Sequence, residues 1–343
     1  MATTVLLTCK EGSEKVLARE IALYHLAVSA KGNGWILAAP EEPSASPRPE
    51  PLLGVPCFAY HILENPIAVS AASVNSLTEQ LITLFITQLA QTRLTDPWPL
   101  SFCSCGNEQL LGRTKSVKKN WIDKMQKRMS HVAKLAREGI PYRPEFTQGF
   151  FVHLTDLSKA FVSFRARSAG QQRMQMDPRA PSRSYLKIEE AFRILGVEPR
   201  EKETVIDLGA APGGWSYSAL KRGAIVTAVD NGPLKGLVQS HPNMRHLQAD
   251  ALKYKHDPSK PADWLLCDIL EQPDIILNLL HKWLSQKWCR HFIANIKVGR
   301  TDPVLLLKKI HDHRKGIFPY CKPLYTRQLY HDREEITLMG RIK

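Results

Sequence analysis

From residue 184 onward, short apolar runs alternate with amphipathic stretches, and this alternation constrains the fold more than any other feature of the chain. KIEEAFRIL has helical spacing, VIDLG reads as a strand and WSYSALKRG as a helix, with AIVTAVD, MRHLQAD, DWLLCD and HFIANIK as further strands. Strands that alternate with helices form a mostly parallel sheet covered on both faces, and such sheets bind ligands outside the carboxyl ends of their strands. Asp207, Asp230, Asp250, Asp268 and Lys297 all fall at or near those ends. Charge gathered along one edge marks that edge as the functional one.

The first 170 residues follow a different grammar. VLLTC predicts a strand, KEGSEKVLAREIALYH an amphipathic helix, and KGNGWIL a hairpin. PEEPSASPRPEP, with five prolines, can continue neither a helix nor a central strand and reads as a linker or exposed loop. A second unit starts near Cys57, where Ser76 and Glu79 have capping-box spacing ahead of the helical run LITLFITQLA. In residues 113–137, Val117, Trp121, Met125, Met129 and Val132 recur at helical spacing and predict one buried face. The other face carries Lys115, Lys118, Lys119, Lys124, Lys127, Arg128, Lys134 and Arg137 against a lone Asp123, which suits a phosphate backbone and equally a solvated surface. FFVHLTDLSKAFVSFRARS predicts two strands around a turn, and the basic QQRMQMDPRAPSRS a connector. The expected division is therefore 1–56, 57–170, a linker at 171–183, and 184–343.

The formal net charge of +14 favours a polyanionic partner, nucleic acid foremost. Seven scattered cysteines argue for a reducing compartment, and the close pair Cys103 and Cys105 has no second pair or spaced histidines to complete a zinc site, so no metal is expected. No apolar run reaches membrane-spanning length, and MATTVLLTCKEGSEK has no basic n-region, so a cytoplasmic protein is the expectation.

VIDLGAAPGGW, residues 205–215, supplies the ligand turn. Gly209, Gly213 and Gly214 allow a sharp bend and close approach, and Asp230, 21 residues beyond Gly209, is placed to accept from the hydroxyls of a ribose. A dinucleotide and S-adenosylmethionine both meet this description. Charge favours the second: Pro212 removes a backbone donor that a pyrophosphate would need, and Asp207 puts a carboxylate where a sulfonium or ammonium is welcome. Asp250 is placed to accept from an adenine amino group, though a turn carboxylate explains it equally well.

Methyl transfer to a hydroxyl needs a base, and Lys297 beside a second ammonium, Lys187, would have its pKa lowered for that task, with Asp268 and Glu335 balancing charge. The stretches SRSYLKIEEAF, VIDLGAAPGGW, AVDNGPL, LLCD, NIK and YHDREEIT resemble the RrmJ/FtsJ-type ribose 2'-O-methyltransferases, marked by a Lys-Asp-Lys-Glu tetrad. That resemblance, dense from about 182 to 340, implies a Rossmann-like α/β domain with a mixed seven-stranded sheet. It also implies a catalytic set of Lys187, Asp268, Lys297 and Glu335, with Glu334 as the runner-up for the last place. It assigns the methyl donor to Ser184, Asp207, Gly209, Ala211, Pro212, Gly213, Gly214, Trp215, Asp230, Asp250 and Asp268, and makes Lys297 the proton acceptor. The most similar members act on a cytidine of 23S ribosomal RNA and carry ferredoxin-like and THUMP RNA-binding regions at the N-terminus. RNA contacts are then expected from Lys115, Lys118, Lys119, Lys124, Lys127, Arg128 and Arg183, with neither a membrane nor an obligate protein partner. Ala211 stands where some relatives have Cys, and VGRTDP after Lys297 has no clear counterpart. A nicotinamide-dependent oxidoreductase and a catalytically silent RNA-binding factor are the alternatives.

Overall fold

The computed structural model describes residues 3–41, 54–89, 91, 94–143 and 145–343. It divides into two compact units, residues 1–169 and 170–343. Most of the proline-rich stretch at 40–51 lies outside the described residues.

In the first unit, β1 (Val5–Cys9), α1 (Glu14–Ile21), β2 (Leu26–Gly32) and β3 (Trp35–Pro40) follow the expected order. They are succeeded by β4 (Ala59–Glu64), β5 (Ile67–Ser70), α2 (Val74–Leu89), β6 (Trp98–Ser104), α3 (Glu108–Arg128), α4 (Ser130–Leu135), β7 (Ala136–Glu138), β8 (Thr147–Leu154) and β9 (Lys159–Ser168). Among the described residues the nine strands share one sheet, ordered β2-β3-β1-β4-β9-β8-β6-β7 with β5 paired to β9. The boundary expected at residue 56 thus falls inside a continuous sheet, because β1 pairs antiparallel with β4, Leu6 opposite Leu63. Buried Glu20 reinforces the join, its carboxylate accepting the backbone N–H groups of Cys57 and Phe58.

Two local expectations are corrected. Ser73, not Ser76, caps α2, its Oγ accepting the Ser76 N–H at 3.0 Å. The helix expected over 113–137 ends at Arg128, since Met129 leaves helical geometry with φ −143° and ψ 59°, and Arg137 lies on β7. The stripe itself is buried as expected: Val117, Trp121 and Met125 are inaccessible, and Met129 and Val132 pack against the same cluster. Trp121 stacks on Phe150 at 5.2 Å between centroids and meets Phe85 edge-on.

The second unit contains α5 (Tyr185–Leu195), β10 (Thr204–Leu208), α6 (Gly214–Lys221), β11 (Ile225–Val229), β12 (Met244–Leu247), β13 (Ala262–Cys267), α7 (Pro273–Ser285), β14 (Cys289–Lys297), α8 (Pro303–His311), β15 (Cys321–Arg327) and β16 (Glu335–Ile342). Its seven strands run in the order β12-β11-β10-β13-β14-β16-β15, the mixed seven-stranded sheet expected. The first five are parallel; β16 is antiparallel to β14 and to β15. Val205, Trp264, Leu266, Ile293 and Met339 form one core with Phe192 of α5 and Leu220 of α6. Their strand neighbours Ile206, Leu265 and Phe292 point to the opposite face by alternation and are buried as well, so both faces are covered. Order reverses between β10 and β13, and a crevice opens at such a point outside the carboxyl ends of the strands. Among the described residues no helix is long and apolar enough to cross a membrane.

Candidate active site

The carboxyl ends of β10, β11, β13 and β14 share one edge because those strands are parallel. The antiparallel β16 begins where they end. Lys297, last in β14, therefore stands opposite Glu335, first in β16. Its Nζ lies 2.7 Å from Glu335 Oε1 and 3.1 Å from Asp268 Oδ1. Lys187, in the first turn of α5, reaches the other oxygen of the same carboxylate, Glu335 Oε2. The four residues read from the sequence thus form one cluster, with Glu335 bridging two ammonium groups. Glu334 lies outside it: exposed, it contributes its backbone carbonyl to the N–H of Val298.

Three further residues complete the cluster. Asn295 Nδ2 donates to Asp268 Oδ1 at 3.1 Å and to Glu335 Oε2 at 2.8 Å. Buried Asp332 accepts from the Leu329 N–H and the Thr337 hydroxyl, with its other oxygen 3.9 Å from Lys187 Nζ. Behind them Glu190, also buried, accepts the backbone N–H groups of Tyr330 and Gln172. Asn295 was legible in principle, because a residue two positions before Lys297 in a strand shares its face. Nothing local in the sequence points to Asp332 or Glu190.

The electrostatics reverse one expectation. Burial works against charge on Lys297, but Asp268 and Glu335 outweigh it and raise the pKa above the usual lysine value. A neighbouring Lys187 does not lower it as anticipated, because Glu335 sits between the two amines. Burial pushes Glu335 upward, yet hydrogen bonds from Lys187, Lys297 and Asn295 prevail and hold it down at about 2. Asp332 is raised to about 7 by burial, Lys187 opposing and Glu335 adding.

The glycine turn follows β10. Gly209 has φ +78°, and a Cβ there would press on Ile269 and on the Asp268 carbonyl, so only glycine lets the β10 and β13 loops meet. A Cβ on Gly214 would collide with the hydroxyls of Ser182 and Ser184, which bond each other at 2.7 Å. Trp215 is buried in the core, and its indole N–H donates to the Ser184 carbonyl at 3.0 Å. Asp230 accepts the Ala211 N–H at 2.9 Å and the Gly232 N–H at 2.7 Å, linking the end of β11 to the turn, where Pro212 offers no N–H. Asp250 is half exposed, accepts the Leu252 N–H and pairs with Lys253, as a turn carboxylate does. Asp207 is fully buried; Oδ2 takes the Ser216 hydroxyl at 2.6 Å while Oδ1 has no hydrogen-bond partner among the described residues. Burial, with Asp268 and Asp230 adding, raises its pKa to about 7 against the Ser216 hydrogen bond. An orphaned buried acceptor below a glycine cradle fits a ligand that brings a cation or a strong donor.

The basic set on α3 is less free than its sequence suggests. Lys118 pairs with Glu138, and Glu79 takes Lys124 at 2.8 Å and Arg128 at 3.0 Å. Lys115, Lys119 and Lys127 remain unpaired among the described residues. Arg183 lies in the second unit, exposed, one residue before Ser184.

Two lysines and two carboxylates thus stand crossed beside a glycine turn, at the carboxyl edge of a mixed seven-stranded sheet. Residues 180–310 match the family model described as FtsJ-like methyltransferase. Over 176 residues the chain is 39% identical to the ribosomal RNA large subunit methyltransferase M of Halorhodospira halophila, covering 50% of each protein. It is 40% identical over 185 residues to the protein of the same name from Azoarcus sp. strain BH72, covering 51% of this chain and 50% of the relative. The chain thus spans about half the length of these curated relatives.

Proposed function

We propose that the protein transfers a methyl group from S-adenosylmethionine to a ribose 2'-hydroxyl of a nucleotide, a cytidine, in 23S ribosomal RNA. One observation carries the reading: Lys297 is held between Asp268 and Glu335 at the strand edge beside the glycine turn. The relatives' name supports the RNA, and the net charge of +14 supports a polyanion. When bound, the donor supplies an electrophilic methyl on a cationic sulfur that leaves as a neutral thioether.

The protein's own residues supply the rest. A ribose hydroxyl is a weak nucleophile until its proton departs, and Lys297 Nζ is the acceptor. At rest its amine is protonated, so the proton must first leave. Lys187 and Asn295 both draw on Glu335, and Asn295 draws on Asp268, weakening the carboxylates' hold on Lys297. Any cation entering the crevice then disfavours the ammonium form further. Ser184, Asp207, Ala211 to Gly214, Asp230 and Asp250 would hold the donor, with Asp207 Oδ1 as its buried counter-charge. A cavity of about 530 Å³ bordered by Lys297, Leu270 and Arg300 would admit the acceptor nucleotide.

In this reading residues 1–56 act as a ferredoxin-like region and 57–170 as a THUMP-like domain that positions RNA in the cytoplasm, with 171–183 as a basic linker. Calorimetric titration with S-adenosylmethionine and with NAD(H) tests the donor. Heat with the first and none with the second is expected; the reverse would identify a nicotinamide oxidoreductase. Binding of S-adenosylmethionine without methylation of large-subunit RNA would point to a silent RNA-binding factor.

A further inference from the structure

Beside Lys187 the second unit opens a cavity of about 560 Å³, lined by Arg173, Met174, Met176, Arg183, Leu186 and His331 among others. No acidic side chain lines it. Arg173 and Arg183 have no carboxylate partner among the described residues, whereas in the same unit Asp177 holds Arg179 at 3.0 Å, and Glu189 and Glu198 each hold Arg222 at 2.7 Å. Two unpaired guanidinium groups converging on one hollow repel each other unless an anion joins them.

His331 adds a directed donor. Its Nε2 accepts the Met174 N–H at 2.9 Å, which places the ring hydrogen on Nδ1. Burial, then the charges of Arg183, Arg173 and Lys187, lower its pKa, so the ring is neutral and still donates. The mounting is rigid: Glu190 Oε1 takes both the Tyr330 N–H at 2.8 Å and the Gln172 N–H at 3.0 Å, tying the two cavity walls to one buried carboxylate. The same loop carries Asp332, bonded to the Leu329 N–H, and runs on to Glu335.

We propose that this cavity seats a backbone phosphate of the acceptor RNA strand, gripped by Arg173 and Arg183 with His331 Nδ1–H as third donor. A phosphodiester is anionic and presents only acceptors, matching two guanidinium groups and an imidazole N–H in a cavity without a carboxylate, whereas a neutral nucleobase would leave the charge of both arginines unbalanced. Met174, Met176 and Leu186 offer apolar wall to the adjoining sugar. The proposal rests on the RNA methyltransferase reading for the identity of the polymer. Because the phosphate lies beside Lys187, it would set the register of the strand over the tetrad.

The test is binding of a fluorescent single-stranded oligoribonucleotide to the full chain, for wild type and for Arg173→Gln with Arg183→Gln. The pair should lose affinity by about tenfold or more, and its log affinity against log salt should flatten by about one unit, the signature of one lost phosphate contact. S-adenosylmethionine binding should be unchanged. The paired lysine variants, which keep charge but lose the fork, should recover part of the affinity and the full salt slope, and they control for misfolding. Unchanged RNA affinity in the glutamine pair overturns the site, as does a loss of affinity with an unaltered salt slope. The methyltransferase reading fails separately: RNA binding that depends on the arginines, in a wild-type protein that transfers no methyl group, leaves the phosphate seat standing.

Discussion

Lys297 and Glu335 face each other across β14 and β16, Nζ 2.7 Å from Oε1, because the last parallel strand ends where the antiparallel strand begins. Lys187 approaches the same carboxylate from α5. Replacing Glu335 with Gln leaves Lys297 with Asp268 alone and Lys187 with only Asp332, 3.9 Å away, and the expected cost is about 3 kcal/mol of stability, the low end for a broken buried pair. Thermal melting at neutral pH checks this. Glu335 is depressed from 4.5 to about 2, so its stabilisation is present above the unfolded value and lost as pH falls through that window. The acid limb of the stability curve should be flatter in Glu335→Gln.

Asp207 gives a pH dependence of the opposite sign. Burial raises its pKa from 3.8 to about 7, so the folded protein holds a proton that the unfolded chain would release, and stability declines as pH rises between those values. A cationic ligand over Oδ1 requires the ionised form. S-adenosylmethionine affinity should therefore rise with pH up to about 7, by as much as about tenfold per unit below it. Asp207→Asn should remove the dependence and weaken binding; calorimetry at pH 6 and pH 8 decides it.

Much of this edge was readable from sequence, for an identifiable reason. The alternation of apolar runs fixes where parallel strands end, and Asp207, Asp230, Asp268 and Lys297 mark those ends directly. Glu335 follows once the final strand is known to run the other way. What was not legible came from partners far apart in the chain. Glu79 neutralises Lys124 and Arg128 from 45 and 49 residues away, which no reading of α3 alone supplies. The upward shift of Lys297 likewise depends on how closely Asp268 and Glu335 are brought in, and sequence carries no distances. The boundary at 56 was drawn from composition, and strand pairing across it ignored composition.

Gly214 tests the cradle. Its φ is ordinary for a helix start, so the case for glycine rests on space alone: a methyl there would strike the Ser182 and Ser184 hydroxyls. Gly214→Ala should lose about 1–3 kcal/mol by overpacking and weaken donor binding through displaced Ser184. A melting curve and a calorimetric titration together read both effects.

On α3 the ion pairs sort the lysines. Ala substitution of Lys115, Lys119 and Lys127 together should weaken binding to ribosomal RNA and reduce the salt slope by up to about three units if each meets a phosphate. Lys118→Ala, which removes a residue already paired with Glu138, should change the slope less.

The most direct test asks where the methyl group goes and whether Lys297 is needed to put it there. Wild type and Lys297→Ala are incubated with isotopically labelled S-adenosylmethionine and large-subunit RNA, and the RNA is digested to nucleosides for mass spectrometry. Label is expected on a ribose in the wild-type digest, falling by at least about a hundredfold in the variant. Label on a base, or ribose label undiminished in Lys297→Ala, would contradict the assignment of this amine as the base.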